Sequence, residues 1–447
     1  MLYSALVAAA LSLSVTQAPV EEAIAHVTAN NDEWPGDHDH WAVLIAGSSG
    51  YGNYRHQADV CHAYQIAVKA GIKPEQIITL AADDVANSPE NPYPGQLFNK
   101  PTPAGTPGTD VYAGCVIDYS GDDVTPENFV AVLTGDDTTG KKVLKSTSKS
   151  RVFVNFVDHG GVDIIGFPRT VMHATDLVAA LQKMSDTSMY KELVFYLEAC
   201  ESGSMFQTLP DSIKIFATTA ANAKESSWGT YCPPDDMVNG KSLRTCLGDL
   251  YSVKWMEDSD SNLAAGETLA DQFARVKQET NKSHVQQFGD LTFAASEPTS
   301  NFQGNTDTTN STRVSALIDA KKLNTAGQTT SLPSADAELA SAYARFMATG
   351  SKTAAAELIA GVNDRLKADE RFDKLAHAVM GRTFSRAIPD DLTSYNKCHY
   401  AAHKAYIAKC GEFTTGALKH SATLMEMCVS THGKPEPIIS AIVHECA

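Results

Sequence analysis

The chain has 447 residues, 43% of them apolar and 20% charged, with a formal net charge of −17 and a pI near 5.2. That length gives room for a large core and more than one domain. The acidic balance excludes a nucleic-acid partner, which needs a basic face, and it suits work in acid, where carboxylates take up protons and repel each other less.

Met1 to Val15 is a short apolar run followed by Thr16-Gln-Ala18. It is too short to span a bilayer and reads as a signal peptide over residues 1–18, with an N-terminal propeptide over 19–36. No later stretch approaches the length of a membrane span, so none is expected. The acceptors Asn281-Lys-Ser and Asn310-Ser-Thr agree with passage through the secretory route. Asp37-His38-Asp39-His40 has metal-ligand residue types, but it lies at the entry to the next domain and no metal is expected there.

From residue 37 to 303 the pattern alternates. Ala42–Ala46, Ile77–Ala81, Val152–Val157, Leu193–Leu197 and Ile213–Ala217 are continuous apolar runs that end in small or polar residues. This is how strands buried on both faces read. Helical stretches such as Gln57–Ala70 and Ala174–Met184 lie between them. Alternating strands and helices predict an α/β fold with a mainly parallel sheet, its chemistry at the carboxyl ends of the strands.

Residues 304–333 are rich in Thr, Asn, Ser and Gly and read as a linker, with an exposed Lys321-Lys322 pair. Ser334 is expected to cap a helix with Asp336 and Glu338 in its first turn. Leu339, Tyr343 and Phe346, then Leu358, Val362 and Leu366, recur at helical spacing. Residues 334–447 therefore read as a small all-α domain. Of nine cysteines, Cys398, Cys410, Cys428 and Cys446 crowd this region and suit two disulfides in an oxidising compartment. Cys232 and Cys246 flank a polar, proline-containing stretch and could close a loop. Cys61, Cys115 and Cys200 remain, and an odd total leaves at least one thiol free.

Three strand ends carry candidate chemistry. Asp158-His159-Gly160-Gly161 puts an imidazole beside glycines whose backbone N–H groups a carbonyl can approach. Glu198-Ala199-Cys200-Glu201-Ser202-Gly203 ends the next strand in a cysteine, which is a nucleophile if a histidine lies nearby. Parallel neighbours bring their carboxyl ends together, so His159 and Cys200 can meet, the imidazole taking the thiol proton and returning it to a leaving amine. The first strand leaves into Gly47-Ser48-Ser49-Gly50, then Asn53, Arg55 and His56, with neither a dinucleotide fingerprint nor a P-loop lysine. No cofactor is expected.

Asn53-Tyr-Arg-His-Gln-Ala-Asp59, Asp158-His-Gly-Gly161, Glu198-Ala-Cys-Glu-Ser-Gly-Ser-Met205 and Leu247-Gly-Asp-Leu-Tyr-Ser-Val253 resemble the legumain family of asparaginyl endopeptidases. The likeness is close over 38–303 and looser beyond. Ser227-Trp-Gly-Thr-Tyr-Cys232 resembles the plant vacuolar processing enzymes of that family. The resemblance implies a caspase-like α/β/α sandwich followed by a disulfide-stapled helical prodomain, and a cysteine endopeptidase that cuts after Asn, or after Asp in acid. A peptide ligase of the same family is the alternative.

By that resemblance Cys200 is the nucleophile, His159 the base and Asn53 the residue that orients the imidazole. The amides of Gly160 and Cys200 hold the oxyanion, and Arg55, His56, Glu198, Ser226 and Asp249 form the specificity pocket. The family's spacing pairs Cys398 with Cys428, Cys410 with Cys446 and Cys232 with Cys246. Expected partners are substrates with an exposed Asn and the chain's own C-terminal domain as inhibitor. The expected activation cut follows Asn324, and the expected setting is an acidic lysosome- or vacuole-like compartment or the exterior. Cys115 has no counterpart in the resemblance, and Val162-Asp163-Ile164-Ile165 replaces a glycine-rich turn.

Overall fold

The computed structural model describes residues 39–262, 266–304, 329–385 and 387–447. The segments expected to be a signal peptide and an N-terminal propeptide, Asn310, the Lys321-Lys322 pair and Asn324 lie outside the described residues. Among the described residues no helix is long and apolar enough to cross a membrane.

Five strands, β1 (His40–Ala46), β2 (Ile77–Leu80), β3 (Arg151–Val157), β7 (Glu192–Glu198) and β8 (Ile215–Thr219), run parallel. Strand β13 (Gln286–Gly289) closes one edge antiparallel, giving the order β13-β8-β7-β3-β1-β2. Along β3, Val152, Val154 and Phe156 face one core, while Phe153 and Val157 face the other. The first core takes helices α2 (Pro126–Thr134) and α3 (Ala174–Asp186); the second takes α1 (Tyr54–Lys69), α4 (Leu250–Asn262) and α5 (Leu269–Glu279). Both faces are thus covered, which is why these strands carry apolar residues at successive positions.

The strands lie close to their expected positions, with two informative shifts. Lys214 has φ +55°, so the extended run starts at Ile215 rather than Ile213. Helix α1 starts at Tyr54 rather than Gln57, because Arg55, His56 and Gln57 form its buried first turn.

A small sheet joins β4 (Gly160–Gly161), β5 (Ile164–Phe167) and β6 (Thr170–His173). Strands β10 (Met237–Val238) and β11 (Lys241–Ser242) form a hairpin, and β9 (Trp228–Thr230) pairs on one side with β12 (Gly248–Asp249) and on the other with β14 (Leu332–Pro333). A short helix, α6 (Ser300–Gln303), precedes the linker.

The C-terminal helices are α7 (Ser334–Thr349), α8 (Lys352–Met380), α9 (Asn396–Cys410), α10 (Thr415–Leu418), α11 (Ser421–Ser430) and α12 (Glu436–Glu445). Phe372, Leu375, Tyr406, Leu424, Met427, Ile438 and Ile442 form their core, which Ile164 of β5 joins. Disulfides join Cys398 to Cys428, Cys410 to Cys446, Cys232 to Cys246 and Cys61 to Cys115. The last accounts for Cys115 by tying its segment to α1. Among the described residues Cys200 is the one free cysteine.

The helical spacing in the C-terminal region is correct, but its apolar face stays open: Tyr343 is 54% and Leu366 60% exposed. Helix α7 instead buries Ala337, Ser341, Ala342 and Arg345. Small residues let it approach the turn Tyr51–Asn53, where a Cβ on Gly52 would lie 2.8 Å from Glu338 Cγ.

Candidate active site

The register places the site. Ala46 of β1 is level with Val157 of β3, and Val157 is level with Glu198 of β7. The segments that follow therefore emerge side by side, carrying Ser48, Asp158-His159 and Ala199-Cys200. A Cβ on Gly160 would lie 2.4 Å from the Cys200 carbonyl oxygen, so glycine is what lets these two exits touch.

Asn53 Nδ2 donates to the Ser49 carbonyl (3.0 Å), which turns Oδ1 toward His159 Nε2 at 2.8 Å. An amide oxygen accepts, so Nε2 carries the hydrogen and Nδ1 keeps a lone pair. Burial holds the His159 pKa well below its ordinary value, and Arg55 and Arg365 add to this. The imidazole is neutral and able to take a proton. At Cys200, Ser226 Oγ donates to the Ser227 carbonyl (2.7 Å), which leaves the thiol to donate to Ser226 Oγ at 3.2 Å. Ser227 Oγ lies 3.7 Å from the sulfur. Burial pushes the thiol pKa up to about 11, helped by the Glu201 charge. No hydrogen bond joins the sulfur to His159 among the described residues.

Beside this pair lies a buried charged pocket. Arg55, 1% exposed, donates from Nε to Asp249 Oδ1 (2.8 Å) and from Nη1 to Asn53 Oδ1 (3.4 Å). Glu198 Oε2 accepts from the Ser252 amide and hydroxyl (2.9 and 3.0 Å). His56 Nδ1 meets Ser48 Oγ at 2.5 Å, and its Nε2 is 3.5 Å from Asp249 Oδ2. Glu198 Oε1, Asp249 Oδ2 and His56 Nε2 are buried without a hydrogen-bond partner. Leaving such atoms unpaired is costly, and a polar guest would satisfy them. Burial raises the Glu198 and Asp249 pKa values, the neighbouring Asp249 charge adding at Glu198 and Arg55 opposing at Asp249. Burial lifts Asp158 to about 8.

The C-terminal region enters this pocket. The Cys232 amide donates to the Thr330 carbonyl (3.1 Å), Leu332 pairs with Gly229, and the Ser334 amide donates to the Ser227 carbonyl (2.8 Å). Ser334 does not cap α7, whose N-cap is Pro333. Its hydroxyl instead accepts from Arg55 Nη2 (2.9 Å) and donates to Asp249 Oδ1 (3.3 Å). The buried guanidinium offers a charge-assisted bond, and that outcompetes a cap amide. A cleft of about 280 Å³ remains between Asn53, Asp158 and His159 on one side and Glu338, Arg365 and Thr414 on the other.

A model of the peptidase C13 family matches residues 40–305. Legumain of Mus musculus is 39% identical over 411 residues, spanning 89% of this chain and 90% of the mouse protein. The chain belongs to the peptidase C13 family. The vacuolar-processing enzyme beta-isozyme of Arabidopsis thaliana is 49% identical over 284 residues, 61% of this chain and 57% of the plant protein. Caspase-1 of Spodoptera frugiperda aligns in structure at 10% identity with a TM-score of 0.33, over 57% of this chain and 88% of the insect chain.

As a peptidase C13 member the chain is a cysteine endopeptidase that acts on protein substrates. The fold gathers Asn53, Arg55, His56, Asp158, His159, Glu198 and Asp249 and brings Gly160 against Cys200. Ser226 lies at the sulfur rather than at Arg55. Sequence reasoning missed Ser227 and Ser334; the Ser226-Ser227 repeat ahead of β9 was a signal for the first, and the second had none.

Two clusters among the described residues have metal-ligand types: His56 with Asp158 and His159, and Asp163 with His173 and His399. In the first, His159 Nε2 is turned to Asn53 and His56 Nδ1 to Ser48. In the second, His173 Nδ1 accepts from the Thr175 amide (3.2 Å), so Nε2–H donates to His399 Nδ1 (3.1 Å), whose own Nε2–H reaches the Ser421 carbonyl (3.1 Å). This is a chain of neutral rings, and a nitrogen that bears a hydrogen does not ligate a metal.

Proposed function

We propose that the chain is the precursor of an asparaginyl endopeptidase with Cys200 as nucleophile and His159 as general base. The observation that supports it most is the pocket, in which one guanidinium sits among carboxyl groups with unpaired buried atoms. A primary amide matches that set: its carbonyl accepts from Arg55, and its NH₂ donates to Glu198 and Asp249. An ionised Asp side chain would add another carboxylate to the site. A protonated one, present as pH falls toward 4, would be tolerated.

In this reading His159 Nδ1 takes the Cys200 proton and the sulfur attacks the main-chain carbonyl carbon of the substrate's Asn. The oxyanion rests on the Gly160 and Cys200 amides, and the C–N bond then breaks with His159 returning its proton to the leaving amine. Water cleaves the thioester. An amine in place of water would give ligation, and product masses with an added amine nucleophile separate the two outcomes.

Residues 330–338 act as a built-in blocker, since Ser334 occupies the Arg55 pocket and both the thiol and the imidazole are neutral beneath it. Removal requires a cut within 304–328, after Asn324 in this reading, and an acidic lysosome- or vacuole-like compartment as its setting.

The test is turnover of an Asn peptide by acidified full-length protein. Cys200→Ala should abolish it, and His159→Ala should cost roughly 10²- to 10⁴-fold. Cleavage by Cys200→Ala protein would overturn the assignment.

A further inference from the structure

Asp59 lies one helical turn after Arg55 on α1, so both project to the same side. It is fully buried, and its carboxyl does not touch Arg55; it holds the strand that carries the pocket's own carboxylate. Oδ2 accepts the backbone N–H of Asp249 (3.1 Å), and Oδ1 accepts from Asn99 Nδ2 (2.6 Å). Asn99 Nδ2 also donates to the Leu247 carbonyl (2.9 Å), two residues from Asp249, which orients the amide. Asn99 Oδ1 then faces His62 Nδ1 at 2.8 Å, and His62 Nε2 faces Asp260 Oδ2 at 3.0 Å. His62 thus bridges Asn99 and Asp260 through its two ring nitrogens.

A hydrogen-bonded line thus runs from Asp260, at the surface on α4, to the floor of the pocket. Gly248 admits it: a Cβ there would lie 2.8 Å from Asn99 Nδ2, 3.0 Å from Asp59 Oδ1 and 2.5 Å from Val253 Cγ2. Asp249 is consequently gripped at both ends, its backbone by Asp59 and its side chain by Arg55. A buried carboxyl is an expensive filler, and its two hydrogen bonds to Asn99 and Asp249 are directed at this strand.

We propose that Asp59 is a positioning residue for substrate selection, the inner end of a line His62–Asn99–Asp59 that sets Asp249 against Arg55 from outside the pocket. The proposal rests on the pocket reading given above. It concerns binding rather than bond-breaking, because Asp59 makes no hydrogen bond of its own to Cys200 or His159, and its path to His159 runs through the long 3.4 Å contact of Arg55 Nη1 with Asn53 Oδ1. Loss of the grip should therefore weaken binding of ground state and transition state alike.

The experiment uses the full-length chain, acidified until turnover of an Asn peptide is constant. Cooperative thermal unfolding checks the fold, and the rate of Cys200 alkylation by iodoacetamide checks the reacting centre. Asp59→Ala should raise KM for the Asn peptide about 10- to 100-fold while kcat and alkylation change less than about threefold. Asp59→Asn keeps an acceptor for the Asp249 amide but turns an NH₂ onto the Asn99 donor, so it should recover KM in part, to roughly three- to tenfold above wild type. If Asp59→Ala does not fold, Asn99→Ala decides: it leaves Asp59 in place with one donor fewer and should raise KM roughly three- to tenfold. Unchanged KM in a folded Asp59→Ala or Asn99→Ala protein would overturn the proposal, as would losses in kcat and alkylation that match the loss in KM. Wild-type protein that shows no preference for Asn over Gln or Ala would overturn the pocket reading before any variant is made.

Discussion

At Cys200 the covered chain holds a protonated thiol near a neutral imidazole, and the two are not hydrogen-bonded to each other. The imidazole's tautomer depends on one amide, Asn53, whose oxygen is aimed by the Ser49 carbonyl. Asn53→Ala should leave His159 free to rotate or to shift its hydrogen. We expect kcat to fall by about 10²-fold with KM little changed, the scale of a misplaced catalytic group; steady-state kinetics on an Asn peptide check this, and an unchanged kcat would remove Asn53 from the mechanism. Cys200, His159 and Asn53 were legible as candidates because each follows a buried strand, where a polar residue is unusual. Ser334 was not, because a serine before a helix has a local explanation as a cap. Only the fold brings Arg55, 279 positions away in sequence, to its hydroxyl.

Among the elements, the strand pairing of β14 on β9 runs the chain's own backbone past Ser227, whose hydroxyl lies 3.7 Å from the Cys200 sulfur. The strands were legible because burial on both faces leaves an unbroken apolar signature in the sequence. It could not give β14, whose two residues carry no periodicity, nor which side of α7 packs, since small residues and Arg345 form the buried face. Arg345 pairs with Glu90 and Glu357 and lies over the Tyr51 ring. The hold of Ser334 on Arg55 and Asp249 predicts that Ser334→Ala weakens the cover by about 1–2 kcal/mol. At neutral pH, iodoacetamide should then alkylate Cys200 roughly 5- to 30-fold faster than in the wild-type full-length chain. Equal rates would mean that β14 and α7 hold the cleft without that contact.

Across the whole molecule, the helical region also docks through buried histidines. Ser421 Oγ donates to the Val162 carbonyl (2.6 Å), and His399 meets His173 beside Asp163 and His403. Burial lowers the pKa of His399 to about 4, of His403 to about 3 and of His173 well below the ordinary value. Each ring is therefore neutral when docked but takes a proton once released, starting near its ordinary 6.5. Its contribution to docking is full above that pH and is lost as pH falls toward the docked value. Asp163 works in the opposite sense: burial raises it to about 8, so its contribution is full in acid and lost as pH rises through 8. Lys404, Asp176 and Tyr400 complete the titratable surroundings. In this cluster three imidazoles outweigh one carboxyl between about pH 6.5 and 4. His399→Gln removes one of the three, so the docked state should persist to lower pH. Hydrogen exchange of residues 164–173 across that range checks the shift, and an identical pH profile in the variant would exclude His399 from the pH dependence of docking.

The most direct measurement is turnover of paired peptides that differ only in Asn or Asp before the cut, from roughly pH 4 to 7, by acid-activated wild-type and Cys200→Ala protein. The Asn peptide should be cleaved across the range, the Asp peptide only toward the acid end, and neither by Cys200→Ala protein. Equal turnover of the two peptides at pH 7, or any turnover by Cys200→Ala, would contradict it.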